Sequence, residues 1–194
     1  MPLGANKAAI MGVAGVSTGD VVLLSSQTAS GDSSISFTSG ITSTYGEYIF
    51  KFYNINPTAN GADLMFQVNA TDGADYNDSA ITSTAFYAKH RENDATPVFG
   101  YLTGDDQGQG TAFQILNGNV GSADDAAGEL HIFNPASTTY VKHFLSRVGS
   151  VSDADEVYDQ FVAGYINDTT AVDDIRFKMS SGNFDGKIKM WGVK

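Results

Sequence analysis

The sequence predicts an all-β protein: an antiparallel two-sheet β-sandwich of jelly-roll or lectin-like type, preceded by an extended N-terminal arm. Short segments alternate apolar and polar residues with period two, which is the signature of half-buried strands. Between them sit clusters of Gly, Asn, Asp and Ser, and the 21 glycines of the 194-residue chain suit the many turns that such a fold needs. The only rival for a helix is Asp153 to Gly164, where Val157, Phe161 and Val162 approach helical spacing; it reads as an acidic turn into a strand, with a short helix as the alternative.

Residues 1–20 form the arm and residues 21–194 the sandwich. The arm is rich in small residues and carries Leu3, Ile10, Met11 and Val13, apolar side chains that a free tail would waste, so they are assigned to assembly with a neighbouring subunit. Strand signals then follow at Val21–Thr28, Ser34–Thr38 and Tyr45–Ile55, the last placing Tyr48, Phe50 and Phe52 on one face and Glu47, Ile49, Lys51 and Tyr53 on the other. Asn56-Pro57 reads as a break. Further strands are expected at Asp63–Asn69, Ile81–His90, Val98–Leu102, Phe113–Leu116, Gly128–Phe133, Tyr140–Val148, Tyr158–Ile166 and Val172–Met179. The closing strand Gly186–Lys194 alternates Ile188, Met190 and Gly192 with Lys187, Lys189 and Trp191. Ten to twelve strands suit a two-sheet sandwich, whose open edges must be covered, as an arm from a neighbour would do.

Charge and composition narrow the function. The balance of 22 acidic to 11 basic residues, net −11, repels phosphate backbones, so nucleic acid is excluded as a partner. With no cysteine there is no disulfide, thiolate metal site or cysteine nucleophile. No window reaches the roughly 20 apolar residues of a membrane helix, and Ala8–Val16 is too short and glycine-interrupted for a signal peptide, so no membrane insertion is expected.

No constellation points to catalysis. No serine lies in a Gly-x-Ser-x-Gly elbow, and the acidic pairs Asp105-Asp106, Asp124-Asp125 and Asp173-Asp174 read as turns rather than two acids facing across a cleft. The chain is therefore read as a non-enzyme with no cofactor. His131 and His143 could face each other on adjacent strands, but no third ligand accompanies them, and polar residues on a sheet face are the alternative. Asp72, Asp75 and Asp78 cluster hard oxygen ligands, a calcium candidate whose spacing does not match an EF-hand; an Asx-rich turn also explains it. The glycine-rich loop 104–110 lacks the lysine and following helix of a phosphate site. Its Asp105, Asp106 and Gln107 beside Tyr101 suit sugar hydroxyls, which makes it a candidate ligand loop.

Several stretches together resemble a family of virion structural proteins from tailed phages of marine bacteria. They are Gly4-Ala-Asn-Lys-Ala-Ala9, Tyr48-Ile-Phe-Lys-Phe-Tyr-Asn-Ile-Asn-Pro57, Leu102-Thr-Gly-Asp-Asp-Gln107, Gly128-Glu-Leu-His-Ile-Phe-Asn-Pro135, Thr139-Tyr-Val-Lys-His-Phe144, Ala163-Gly-Tyr-Ile-Asn167, Arg176-Phe-Lys-Met-Ser-Ser-Gly-Asn183 and Gly186-Lys-Ile-Lys-Met-Trp-Gly-Val193. The family's last strand is usually Leu-Tyr-Gly-Ile-like, and Met190-Trp191-Gly192-Val193 departs from it conservatively. The resemblance implies a virion component made in the host cytoplasm, with other virion proteins as partners, and carries over no catalytic residue. The expected role is a tail- or fibre-associated surface module, a homo-oligomer and most plausibly a homotrimer, contacting a host surface glycan. The alternative is a capsid decoration or cement protein bridging major capsid subunits. A secreted bacterial lectin and a polysaccharide hydrolase are the rivals from other classes.

Overall fold

A computed structural model describes residues 19–70, 75–76, 79–95 and 97–194. Thirteen strands are present and, among the described residues, no helix: β1 (Val21–Asp32), β2 (Ser34–Phe37), β3 (Glu47–Pro57), β4 (Ala62–Ala70), β5 (Ile81–Arg91), β6 (Val98–Tyr101), β7 (Gly108–Gly110), β8 (Gln114–Val120), β9 (Ala126–Phe133), β10 (Lys142–Val151), β11 (Glu156–Ile166), β12 (Val172–Met179) and β13 (Phe184–Val193). All pairings are antiparallel. Nine strands make one sheet, in the order β1-β13-β3-β9-β10-β11-β5-β6 with β7 also on β5; four make the other, β2-β12-β4-β8.

The β-sandwich expected from the alternation is therefore present, with sheets of unequal width. The helical alternative at Asp153–Gly164 gives way to β11, whose Tyr158, Gln160 and Val162 point inward while Val157, Asp159 and Phe161 point outward. Asn56-Pro57 does not break β3: the strand runs on to Pro57, which pairs with Phe184 across a register shift. That shift holds Gly186 at φ +140°, where an added Cβ would lie 2.7 Å from the Asn54 carbonyl, so only glycine fits without rearrangement. The loop 104–110 contributes the short strand β7, and Asp173-Asp174 sits inside β12 rather than in a turn.

The interior has two halves. Beneath β3 and β13, Phe177 of β12 meets Phe37, Phe50, Phe52 and Phe66 at ring separations of 5.3 to 6.5 Å, and Phe66 reaches Phe144 at 5.2 Å. Between β8 and the strands β10, β11 and β5 the buried residues include Gln114, Asn117, Ser146, Ser150, Glu156 and Gln160. Here amides replace rings as the filling. Asn117 Nδ2 donates to the Val148 carbonyl at 2.9 Å, and Gln160 Oε1 accepts from the Gly118 backbone at 3.0 Å.

Candidate functional site

The loop flagged by its composition divides in two. Tyr101 Oη donates to Asp106 Oδ2 at 2.7 Å on the surface. Asp105 turns inward instead, its Oδ2 accepting from Gln160 Nε2 at 2.8 Å and its backbone carbonyl from Gln114 Nε2 at 2.6 Å. Burial pushes the Asp105 carboxyl above its ordinary range; the Gln160 hydrogen bond opposes this, while the charges of Asp63 and Asp106 add to it. Gln107 also folds back, donating to the Ala112 carbonyl at 3.0 Å and from its backbone to Ser83 Oγ at 2.9 Å. Two of the four side chains, Tyr101 and Asp106, are left facing outward.

The histidines stand apart. β9 and β10 do form a hairpin, but its register sets His131 opposite Leu145, not opposite His143. His131 instead lies between two carboxylates, Nδ1 at 2.5 Å from Glu47 Oε1 and Nε2 at 3.2 Å from Glu129 Oε1, and Glu129 also meets Lys51 at 3.5 Å. Burial alone would raise the Glu129 carboxyl, but the His131 hydrogen bond and charge, with Lys51, outweigh it and hold the group below its ordinary value. His143 tilts against Tyr165, and His90 lies 3.3 Å from Asp94. Among the described residues no three or more metal-ligating side chains converge. Of the calcium candidate, Asp72 and Asp78 lie outside the described residues, as do Leu3, Ile10, Met11 and Val13 of the arm; Asp75 is described.

The outer face of the nine-stranded sheet is left uncovered by the four-stranded sheet. Register aligns Leu23, Trp191, Ile49, His131, Leu145 and Ala163 in one row across six strands. A parallel row runs Lys189, Lys51, Glu129, Arg147, Phe161, Phe86 and Tyr101. In it Phe161 stacks on Phe86 at 4.9 Å, and Arg147 lies over Phe161 at 4.9 Å while bonding Asp159 at 2.8 Å. Nine large apolar side chains are exposed among the described residues, and seven (Val21, Leu23, Tyr53, Phe99, Tyr101, Leu145 and Val157) are on this face. Trp191 is on it as well, with its indole N–H covered and without a hydrogen-bond partner.

Sequence reasoning missed two buried charges. Lys142 is fully buried, its Nζ donating to the carbonyls of Asp168 (2.7 Å) and Thr170, so it ties the β11–β12 connection to β10. Burial lowers its ammonium below the ordinary value, and the charge of Asp168 offsets part of that. Glu156 is 4 % exposed and holds Lys89 Nζ at 2.9 Å and Arg91 Nε at 2.6 Å. The signal for Lys142 was present, because counting back by twos from Val148, Ser146 and Phe144 puts residue 142 on the inner face.

No family model matches the chain, and no curated protein matches it. Among solved structures, the D2–D3 domains of the flagellar cap protein FliD from Escherichia coli align over 88 % of this chain and 98 % of that one, at 12 % identity and a TM-score of 0.12. A likeness that slight carries no argument.

Proposed function

We propose that this chain is a non-catalytic structural module whose copies assemble through the outer face of the nine-stranded sheet. Following the resemblance of the sequence, the assembly is a surface component of a tailed-phage virion, on the tail or a fibre. The observation that carries the reading is the bare face itself, because a broad sheet face that sets Leu23, Trp191, Ile49 and Leu145 in one row, with His131 among them, is the kind of surface that association buries. Most charges on the face are already matched within the chain, Lys51 with Glu129, His131 with Glu47 and Arg147 with Asp159, so burying the face would not strand these charges unpaired. Three copies with this face turned to a common axis would bury the rows of Leu23 and Phe161 together. The breadth of the same face also suits the second reading, capsid decoration, in which it would lie flat on shell subunits.

Sedimentation of the full chain tests the first reading. The parent is expected to run as an oligomer, a trimer on this scheme. Leu145→Asp, at a position 44 % exposed in the single chain, should run as a monomer that still unfolds in one cooperative transition, lowered only by the loss of assembly. A parent that stays monomeric at high concentration would sink the assembly reading. Electron cryo-microscopy of the particle then separates the two locations, by density on the tail or over the shell lattice.

A further inference from the structure

Past the ends of β9 and β10 three connections meet around an open cleft of about 820 Å³. Ser43 to Gly46 comes from the β2–β3 connection, Asn134 to Val141 from the β9–β10 hairpin loop, and Thr169 from the β11–β12 connection. Four rings line it: Tyr45, Phe133, Tyr140 and His143. Among the described residues no acid, lysine or arginine lines it, in a chain that carries 22 acids and 11 bases.

The walls are fixed before any ligand arrives. Tyr45 lies so close over the backbone of β13 that a Cβ added to Gly192 would come within 2.6 Å of its ring, and it packs edge-on to Tyr48 at 5.9 Å. Tyr48 is itself anchored, its hydroxyl donating to the Thr42 carbonyl at 2.8 Å and accepting from the Thr42 backbone at 2.7 Å. On the opposite wall the Asn134 backbone donates to the Gly46 carbonyl at 2.7 Å, joining two of the connections. Ser137 Oγ accepts from the backbones of both Thr139 and Tyr140 at 3.2 Å, which holds the loop so that Tyr140 stands out at 74 % exposure. An aromatic ring held in water by a braced loop, with nothing packed on it, is an unfavourable way to build a turn.

The polar groups in the cleft are unspent. Among the described residues, the side chains of Tyr45, Asn134, Thr139 and Tyr140 have no intramolecular hydrogen-bond partner. Flat rings beside free hydroxyls and an amide match a ligand with apolar C–H faces and hydroxyls around its rim. With no lysine or arginine among the described lining residues, a carboxylate, sulfate or phosphate finds no fixed cation there, and the net charge of −11 repels it further. The absence of any carboxylate disfavours a cationic ligand.

From these observations we infer that the cleft is a binding site for an uncharged saccharide, stacked on Tyr140 and Tyr45 and hydrogen-bonded by Asn134 and Thr139. The site is distinct from the loop of Tyr101 and Asp106, and it does not depend on assembly through the sheet face.

Titration of the full chain with maltohexaose, cellohexaose and mannohexaose, followed by calorimetry and saturation-transfer NMR, tests this, with trigalacturonate as the anionic control. At least one uncharged hexaose should bind and the control should not. Tyr140→Ala, at an exposed position that the fold does not need, should weaken binding about tenfold or more, the loss of one stacked ring, while Tyr101→Ala should leave it unchanged. Failure of all three hexaoses to bind, or full affinity in Tyr140→Ala, would overturn the inference. So would binding that appears only after residues 1–18 are removed, because the chain's own N-terminal segment would then be the occupant. None of these failures alters the sedimentation result, so the two proposals stand or fall separately.

Discussion

The two halves of the interior lie under one sheet and solve the same packing problem with different chemistry. Under β3 and β13 the filling is rings: Phe37, Phe50, Phe52, Phe66 and Phe177 are each at most 2 % exposed and meet mostly edge to face. Under β10, β11 and β5 much of it is amides and hydroxyls, several with specific partners, as in Ser83 Oγ donating to Gln114 Oε1 at 2.6 Å and Gln160 bridging Gly118 and Asp105, while Asn117 Oδ1 and Ser150 Oγ are buried without one. The aromatic half needs volume and shape, and its contacts are many and individually weak. In the amide half each bond that is made matters, because a buried donor that loses its acceptor keeps its full desolvation cost. Even its aromatic pair, Tyr87 stacked on Tyr158 at 5.0 Å, is polar, and burial together with the nearby Asp105 charge pushes the Tyr158 hydroxyl up. The difference shows where the sandwich can tolerate substitution: the ring side by volume, the amide side hardly at all.

The largest effect should come from the ring side. Phe177→Ala removes the one ring that touches four others, and urea unfolding should show a loss of about 3–5 kcal/mol. A loss below 1 kcal/mol would mean that this half repacks freely and that the contrast is false.

Gln160→Ala should cost less, about 2–3 kcal/mol, by leaving the Gly118 N–H and Asp105 without partners. Gln160→Leu sharpens the comparison, because it keeps most of the volume and removes the hydrogen bonds. If the leucine variant is as stable as the parent, the amide half is held by volume after all.

The smallest effect is visible only as pH dependence. Because burial raises the folded carboxyl of Asp105 above its ordinary 3.8, the folded state binds this proton more tightly than the unfolded chain does. The favourable contribution is therefore fully present at pH below 3.8 and is lost as pH rises through the folded value. Glu129, held low, has the opposite sign: its contribution is present above its ordinary value and fades as pH falls through the folded one. Subtracting the pH–stability profile of Asp105→Asn from that of the parent isolates the first effect. A difference that is flat from pH 3 to 7 would refute the buried, raised carboxyl.

The strands were legible because their period is local. Tyr48, Phe50 and Phe52 inward against Ile49, Lys51 and Tyr53 outward is how β3 lies, and Ile188 and Met190 against Lys189 and Trp191 is how β13 lies. The Asn56-Pro57 signal misled because Pro57 is the last residue of β3, where a missing N–H costs the ladder little. Of the binding surfaces, the loop of Tyr101, Asp105, Asp106 and Gln107 was singled out by composition, yet composition does not show that Asp105 and Gln107 close the loop onto Gln160, Gln114 and Ala112. The cleft past the ends of β9 and β10 passed unnoticed because its walls come from turns as far apart as Ser43 and Thr169. One local sign existed: Tyr140 is an isolated aromatic in a Ser-Thr-Thr turn, where a hydrophobic ring has no core to enter.

By itself the sequence determined that the chain is all-β, which side chains of strands such as β3 and β13 share a face, and that cysteine chemistry is absent. These follow from residue type and a period of two along the chain. Tertiary structure alone decided that nine strands stand against four, so that the smaller sheet covers only one face of the larger, and that Ser43, Asn134 and Thr169 meet around one cleft. Strand pairing joins residues as distant as Val21 and Val193, and such pairings are selected by the fit of whole sheets and their twist rather than by any neighbour in sequence.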